Sequence, residues 1–280
     1  MPGDARAGGE RRLGLYTALA VVVANMVGTG VFTTLGFQVA VIEDGVALMA
    51  LWVLGGLLAL AGALSYGELA AALPRSGGEY HFLGRIYHPL LGTVAGVVSI
   101  VVGFAAPVAL AAMALGRYLA VVVPVDPLIV ALGAIVLVSL FHGVHVRAGQ
   151  GFQIVTTVLK VALIVVFCVA GLLAPAAGDV PVGPPAATLD AMTTPAFALA
   201  LVYVYYAYSG WNAATYFAGE IRDPQRTVPR ALLVGTLLVT LFYVLLNLVF
   251  LRVVPVAELA GTVEVGALAA TAIFGEGGGR

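Results

Sequence analysis

Long apolar runs alternate with short polar segments along this chain. A transmembrane helix needs about 20 predominantly apolar residues, and runs of that kind lie at residues 14–38, 45–72, 91–119, 127–143, 152–174, 195–219 and 230–252. The pattern predicts an all-α integral membrane protein with seven membrane-spanning helices, numbered span one to span seven. A further apolar run begins at residues 265–274.

Composition agrees with a location in the lipid bilayer. Of the 280 residues, 61% are hydrophobic and 10% are charged, and the mean hydropathy is +1.07, which is too apolar for a soluble protein of this size. The formal net charge is -1 and no basic run occurs, so nucleic acid is not an expected partner. The one cysteine, Cys168, excludes a disulfide framework and a cysteine-based metal site. We expect neither a metal nor a cofactor.

Arginines predict the orientation of the chain in the membrane. They are concentrated in the N-terminal tail and in the loops after spans two, four and six: Arg6, Arg11, Arg12, Arg75, Arg85, Arg147, Arg222, Arg226 and Arg230. All of these segments fall on one side, and the opposite loops are mostly acidic. The positive-inside rule therefore predicts a multi-pass protein of the cell membrane with its N-terminus in the cytoplasm.

Two spans are interrupted near their middle by small residues. Span one contains Gly28, Thr29 and Gly30, and span six contains Ser209 and Gly210. Lipid offers no hydrogen-bond partners, so unwound backbone at membrane depth persists only where protein or a water-filled cavity satisfies it. Close helix packing explains small residues in either segment alone. Two broken helices in corresponding positions instead indicate the binding site of a secondary transporter.

The two breaks predict a site for a zwitterion. The N–H groups of Thr29 and Gly30, at the start of a half-helix, suit an α-carboxylate. Carbonyls freed around Met26 and in span six suit an α-ammonium group. The candidate substrate-binding residues are therefore Met26, Gly28, Thr29, Gly30, Tyr206, Ala207, Ser209 and Gly210.

Lys160 is the only lysine in the chain and lies well inside span five. An ionisable residue at that depth is a functional hypothesis by default, as a proton carrier or as a fixed positive charge that holds span one. The alternative is snorkelling, in which the long side chain carries the ammonium back to the interface. No aspartate or glutamate lies in the middle of a span, which favours neutral amino acids over polyamines or arginine as substrates.

A second set of charges could form a gate at the cytoplasmic end. Arg222, Arg226 and Arg230 follow span six, and they could pair with Glu68 or Glu79 near the end of span two. Solvated charges that only set the topology are the alternative.

Four parts of the chain resemble one superfamily of permeases. They are residues 26–32 (MVGTGVF), residues 66–70 (YGELA) with 74–80 (PRSGGEY), Lys160, and residues 206–211 (YAYSGW) with 218–224 (AGEIRDP) and 228–232 (VPRAL). Together they are similar to the amino acid–polyamine–organocation (APC) superfamily, particularly its L-type and bacterial amino acid transporter branches.

The resemblance implies the leucine-transporter fold, with two inverted five-helix repeats and the amino acid held between spans one and six. It also implies that Lys160 replaces a sodium ion used by relatives, so transport would be sodium-independent, as proton symport or exchange. Tyr206 would be an aromatic gate over the substrate. Ser209 occupies a position that the family fills variably.

The same resemblance predicts the domain organisation. Residues 1–13 would be a cytoplasmic tail, 14–174 the first repeat, 175–193 an external loop and 194–280 an incomplete second repeat. The permeases have roughly ten core spans, so we expect a truncated permease that does not transport unaided. An accessory subunit or an oligomer is left open.

Other classes fit the sequence less well. A seven-helix receptor or retinal protein also has seven spans and one buried lysine, but such pigments need that lysine in the seventh helix and a carboxylate counter-ion. A membrane enzyme would need a nucleophile, a base and an orienting group at one depth. A metal-ion transporter would need a carboxylate beside Asn25 and Met26. A transporter of polyamines or cationic amino acids, and a fragment that does not transport, remain alternatives.

Overall fold

The computed structural model describes residues 13–144 and 146–276 of the chain. Arg6, Arg11 and Arg12 of the predicted cytoplasmic tail lie outside the described residues, as do the side chains of residue 121 and of residues 141–152, which include Arg147. The described part is helical, and a single isolated bridge joins Leu13 to Ile221 within it.

Helices occupy each of the apolar runs. Spans one to four are Leu15–Met26 with Gly30–Thr33 and Leu35–Val39, Gly45–Ala72, Pro89–Val98 continued by Ser99–Ala105 and Ala106–Val122, and Pro127–Val144. Spans five to seven are Val146–Leu173, Pro195–Ala207 with a 3₁₀ segment Ala213–Glu220, and Pro224–Val253. The connecting helices are Gly78–Ile86, Pro185–Met192 and Val256–Leu259, and the last apolar run forms Val265–Phe274.

The helices are those of a membrane protein. Within the described residues, five helices are long and apolar enough to cross a membrane. The count is up to six if Pro185–Met192 and Pro195–Ala207, bent by 71°, form one span. In span four, the stretch Pro127–Leu140 counts as one of the shorter apolar helices and not as a full span. The count of seven spans and the leucine-transporter fold therefore stay predictions.

The core lies where spans two, six and seven meet. Trp52, Tyr208 and Tyr243 are completely buried there, with ring centroids 5.8 Å apart for Trp52 and Tyr243 and 4.9 Å apart for Tyr208 and Tyr243. Span two packs closely because a Cβ atom on Gly55 would lie 2.5 Å from Val204, and no larger residue fits. This packing positions the interrupted part of span six.

Span three contains Pro107, for which the sequence predicts a kink. Seven residues of π-helix, Ser99–Ala105, end two residues before it. Proline has no N–H to donate to the carbonyl four residues earlier, here that of Gly103. The wider π turn accommodates this missing hydrogen bond and places Ser99 and Phe104 on a cavity described below.

The loop at residues 175–193, predicted as an external connector, is tied to the start of span two by Asp44. Its carboxylate accepts hydrogen bonds from Ala47 N at 2.7 Å, Gly183 N at 2.8 Å and Thr188 Oγ1 at 3.1 Å. Burial opposes ionisation, but these hydrogen bonds lower the pKa of Asp44 below its ordinary value. Asp44 thus caps span two and holds the loop that leads into span six.

Candidate substrate site at the two helix breaks

Span one is interrupted at residues 27–29, within the segment that the sequence singles out. The first helix ends at Met26 and the next begins at Gly30. Gly28 N donates to the Met26 carbonyl at 2.9 Å instead of continuing the helical pattern. The break therefore removes the usual amide partners, four residues along the chain, of the Ala24, Met26 and Val27 carbonyls.

Side chains from two other spans donate hydrogen bonds to these carbonyls. Lys160 Nζ of span five donates to Val27 O at 3.2 Å and to Ala24 O at 3.4 Å. The Tyr243 hydroxyl of span seven donates to Met26 O at 2.5 Å. The structure thus stabilises the break in span one with donors from its neighbours, because an unpaired carbonyl at membrane depth is costly.

Span six is interrupted over a longer stretch. Its first helix ends at Ala207, and Ser209 N donates to Tyr206 O at 3.0 Å. Gly210 has φ +101°, a conformation that L side chains rarely adopt. Its carbonyl accepts from Ala213 N at 3.1 Å, where the 3₁₀ segment Ala213–Glu220 begins. The chain here turns and then continues as a tighter helix.

The two breaks touch each other through glycines. A Cβ atom built on Gly30 would lie 3.0 Å from Ala207 Cα, and one built on Gly210 would lie 2.8 Å from the carbonyl carbon and oxygen of Asn25. Only glycine permits such close approach of backbone to backbone. The small residues that the sequence places in spans one and six therefore meet in space.

A cavity lies on each side of this contact. One, of about 450 Å³, is lined by Gly28, Thr29 and Lys160 and by apolar residues of spans one, three, five and seven. The other, of about 420 Å³, we call the span-six cavity. It is lined by residues of spans one, three and six and by one residue of the loop helix: Asn25, Glu79, Val98, Ser99, Val102, Gly103, Phe104, Pro107, Val108, Tyr206, Ser209, Gly210, Asn212, Ala213 and Tyr216.

The candidate substrate-binding residues are thus divided between the two cavities, with Gly30 and Ala207 at the contact between them. Met26 is buried, and its carbonyl is already bonded to Tyr243. Tyr206 is 45% exposed and lines the span-six cavity. Its role as a gate over the substrate stays a prediction.

Three charged candidate gating residues lie on the surface, whereas Tyr206 lies directly beside the span-six break. Glu68, Arg222 and Arg226 are exposed. The backbone around Arg222 is tied to the start of span one, because Arg222 N donates to Leu13 O at 2.8 Å and Leu13 N donates to Glu220 O at 3.1 Å. The pairing of these arginines with Glu68 or Glu79 stays a prediction.

Sequence reasoning missed two site residues. Tyr243 is a hydroxyl in the middle of an apolar span, and such a group must find a partner inside the protein, which was the available signal. Glu79 was considered only as a gate charge in a cytoplasmic loop, whereas the structure brings it into the span-six cavity. No periodicity predicts that placement, because a short helix between spans two and three sets it.

The described residues thus form an apolar helical bundle of a membrane protein, in which two interrupted helices meet beside cavities. The chain belongs to the family described as "Amino acid permease", which matches residues 13–279. This agrees with the superfamily that the sequence motifs resemble.

Curated relatives carry transporter names. The chain is 28% identical to the mouse (Mus musculus) b(0,+)-type amino acid transporter 1 over 89% of the chain and 53% of the relative. It is 28% identical to the serine/threonine exchanger SteT of Bacillus subtilis (strain 168), over 97% of the chain and 62% of the relative. It is 27% identical to the human (Homo sapiens) cystine/glutamate transporter, over 92% and 53%. The chain therefore spans about half to three fifths of the length of these relatives.

Proposed function

We propose that this chain forms the substrate-binding part of a sodium-independent amino acid transporter of the cell membrane, with its N-terminus in the cytoplasm. The substrate is a neutral amino acid held between the unwound parts of spans one and six. One observation carries the proposal: the two interrupted segments contact each other directly, Gly210 against Asn25 and Gly30 against Ala207. Paired breaks of this kind surround the substrate in secondary transporters.

The position of Lys160 supports sodium independence. Its ammonium group lies 3.2 Å and 3.4 Å from two carbonyls freed by the break in span one. Unwound carbonyls are the ligands that coordinate sodium in transporters with broken helices. A fixed ammonium at those oxygens supplies the positive charge that a sodium ion would otherwise bring. Transport would then be coupled by exchange or by proton symport. The Bacillus relative is named an exchanger, which supports exchange.

The charge of the cavity bears on the substrate class. Among the described residues that line the span-six cavity, Glu79 is the only charged one. Its presence favours a second candidate, transport of cationic amino acids or polyamines. However, the carboxylate already accepts hydrogen bonds from Asn212 and Tyr216. We therefore propose a neutral amino acid as the substrate, because its side chain needs no carboxylate partner in the cavity.

The test is equilibrium binding to the purified 280-residue chain in lipid nanodiscs. Radiolabelled leucine, serine and alanine are compared with arginine and putrescine, each in sodium chloride and in choline chloride. We expect neutral amino acids to bind equally well in both salts. Lys160→Ala should weaken that binding by at least about tenfold, because charge-assisted hydrogen bonds contribute about 1.5–3 kcal/mol each.

Arg117→Ala is the matched control, since it also removes one positive charge, from an exposed position in span three. Thermal melting of each variant separates loss of binding from loss of folding. Binding that requires sodium would contradict the role given to Lys160. A clear preference for arginine or putrescine would favour the second candidate, and no binding of any of them would remove the proposal for this chain.

A further inference from the structure

Residues 76–79, between spans two and three, dock against the second half of span six. Gly77 N donates to Tyr216 O at 3.1 Å, and Gly219 N donates to Ser76 Oγ at 3.0 Å. Gly78 has φ +52°, and a Cβ atom on it would lie 2.8 Å from the Tyr216 ring. Gly77 and Gly78 therefore permit the loop to lie directly on the 3₁₀ segment.

This docking brings the Glu79 carboxylate to the start of the 3₁₀ segment. Its Oε1 accepts a short hydrogen bond from Asn212 Nδ2, and its Oε2 accepts one from the Tyr216 hydroxyl at 2.5 Å. We name Glu79, Asn212 and Tyr216 the Glu79 clamp. Glu79 also lies in the first turn of helix Gly78–Ile86, where the helix dipole favours a negative charge.

The clamp acts on the part of span six that lines the cavity. Asn212 directly precedes the 3₁₀ segment, and its carbonyl accepts from both the N–H and the hydroxyl of Thr215, at 3.0 Å and 2.7 Å. Ala213 is only 5% exposed and lines the cavity beside Asn212 and Tyr216. The carboxylate therefore holds two residues, one helical turn apart, that form one wall of the span-six cavity.

We propose that Glu79 is a positioning residue, whose carboxylate fixes Asn212 and Tyr216 and so keeps the second half of span six closed over the span-six cavity. Release of the clamp lets this half move away and opens the cavity beside Ala213. The consequence for transport rests on the proposed function. The effect on the accessibility of Ala213 does not rest on the proposed function. An experiment can therefore contradict the role of Glu79 without contradicting the proposed function, and the reverse.

The test measures how fast a thiol in the cavity wall reacts. The full 280-residue chain carries Cys168→Ala, which removes the native buried thiol, and Ala213→Cys as the reporter. The probe is a small charged methanethiosulfonate reagent, applied to the purified protein in nanodiscs. Glu79→Ala should speed modification by at least about tenfold, because lost charge-assisted hydrogen bonds raise the population of a locally opened state.

Two controls separate positioning from general loosening. A second reporter, Ala200→Cys, is buried in the first half of span six and should not react faster in Glu79→Ala. Glu220→Gln removes a negative charge from an exposed side chain of the same segment and should leave both rates unchanged. Glu79→Gln retains one acceptor oxygen, so its rate should lie between those of the parent and of Glu79→Ala.

Adding Tyr216→Phe to Glu79→Ala should have much less than its full effect, because both changes remove the hydrogen bond between Tyr216 and Glu79. Only the weaker contact from Asn212 Nδ2 to the Tyr216 hydroxyl, at 3.3 Å, is left for it to remove. The proposal is overturned if Glu79→Ala leaves the Ala213→Cys rate unchanged, if both reporters accelerate together, or if Tyr216→Phe adds its full effect. Should Glu79→Ala not fold, Asn212→Ala and Tyr216→Phe leave the charge in place, and each must accelerate the reporter for the proposal to stand.

Discussion

Spans one and six are both interrupted, yet the protein stabilises them in opposite ways. Span one is held at its break, where the Lys160 ammonium and the Tyr243 hydroxyl donate to freed carbonyls. Span six is held on either side of its break by carboxylates. Glu79 accepts from its second half, and Asp44 accepts from the loop that precedes its first half.

The difference follows from which backbone groups each break exposes. In span one the helix ends abruptly at Met26, so carbonyl oxygens lose their partners and donors are required. In span six the chain turns at Gly210 and continues as a 3₁₀ segment, which satisfies much of its own backbone. The groups that still need partners there are side-chain donors, those of Asn212 and Tyr216. A carboxylate suits them because hydrogen bonds to a charged acceptor are the strong ones.

The largest expected effect compares one glycine from each break. Gly210→Ala should lower the free energy of unfolding by about 2–4 kcal/mol, since its φ of +101° is strained for alanine and the new Cβ would lie 2.8 Å from Asn25 backbone atoms. Gly28→Ala is the matched control, because a Cβ atom there meets nothing within 4 Å. Denaturant unfolding in detergent micelles measures both.

Equal stability losses at the two glycines would contradict the comparison. They would mean that the span-one break also depends on the conformation of its glycine, instead of on donors from neighbouring spans. A large loss of stability in Gly28→Ala alone would mean that the span-one break, and not the span-six break, depends on its glycine.

Asp44 tests whether the loop before span six is held by a carboxylate. Asp44→Asn should destabilise the chain by about 1–3 kcal/mol, because an amide N–H then faces the donors of Gly183 or Thr188. Asp190→Asn, in the same loop but with its side chain exposed, is the control and should change little. Thermal melting at neutral pH distinguishes the two.

The same residue predicts a pH dependence with a definite sign. The pKa of folded Asp44 is lowered, so its contribution to stability is complete above the ordinary aspartate pKa of about 3.9 and is lost as the pH falls through the lower folded value. The melting temperature should therefore not change through Asp44 between neutral pH and about pH 5. In Asp44→Asn the loss below about pH 4 should be smaller than in the parent chain.

The elements of this fold were predictable because lipid imposes a simple rule. Each apolar run contains a helix, and the interruptions, at residues 27–29 and 208–212, fall on or beside the small residues of spans one and six. Unwound backbone at membrane depth persists only where protein or a water-filled cavity satisfies it. That Lys160 would bond to oxygen atoms inside the protein was equally predictable, because an ammonium group in an apolar span requires acceptors. Its actual partners, the carbonyls of Ala24 and Val27, belong to the break that the sequence had identified.

The way in which the site is held together was less predictable. Nothing in local sequence indicates that Glu79 enters the span-six cavity, because its position depends on residues 76–78 docking against Tyr216, a contact between segments far apart in the chain. The carbonyls around Met26 are predicted to bind an α-ammonium group, and no local pattern indicates that one of them, Met26 O, accepts from Tyr243 of span seven. Such pairings depend on which spans become neighbours, which periodicity does not determine.

The smallest expected effect concerns that hydroxyl. Tyr243→Phe removes one buried hydrogen bond to Met26 O, 2.5 Å long, without changing the packing of the ring against Trp52 and Tyr208. Stability should fall by about 1 kcal/mol and not more, because Met26 O keeps its hydrogen bond from Gly28 N at 2.9 Å. Tyr203→Phe, on a side chain that is 50% exposed, is the control. If Tyr243→Phe matched that control in thermal melting, Lys160 alone would suffice at the span-one break, and the two breaks would differ only in the sign of the charge that stabilises them.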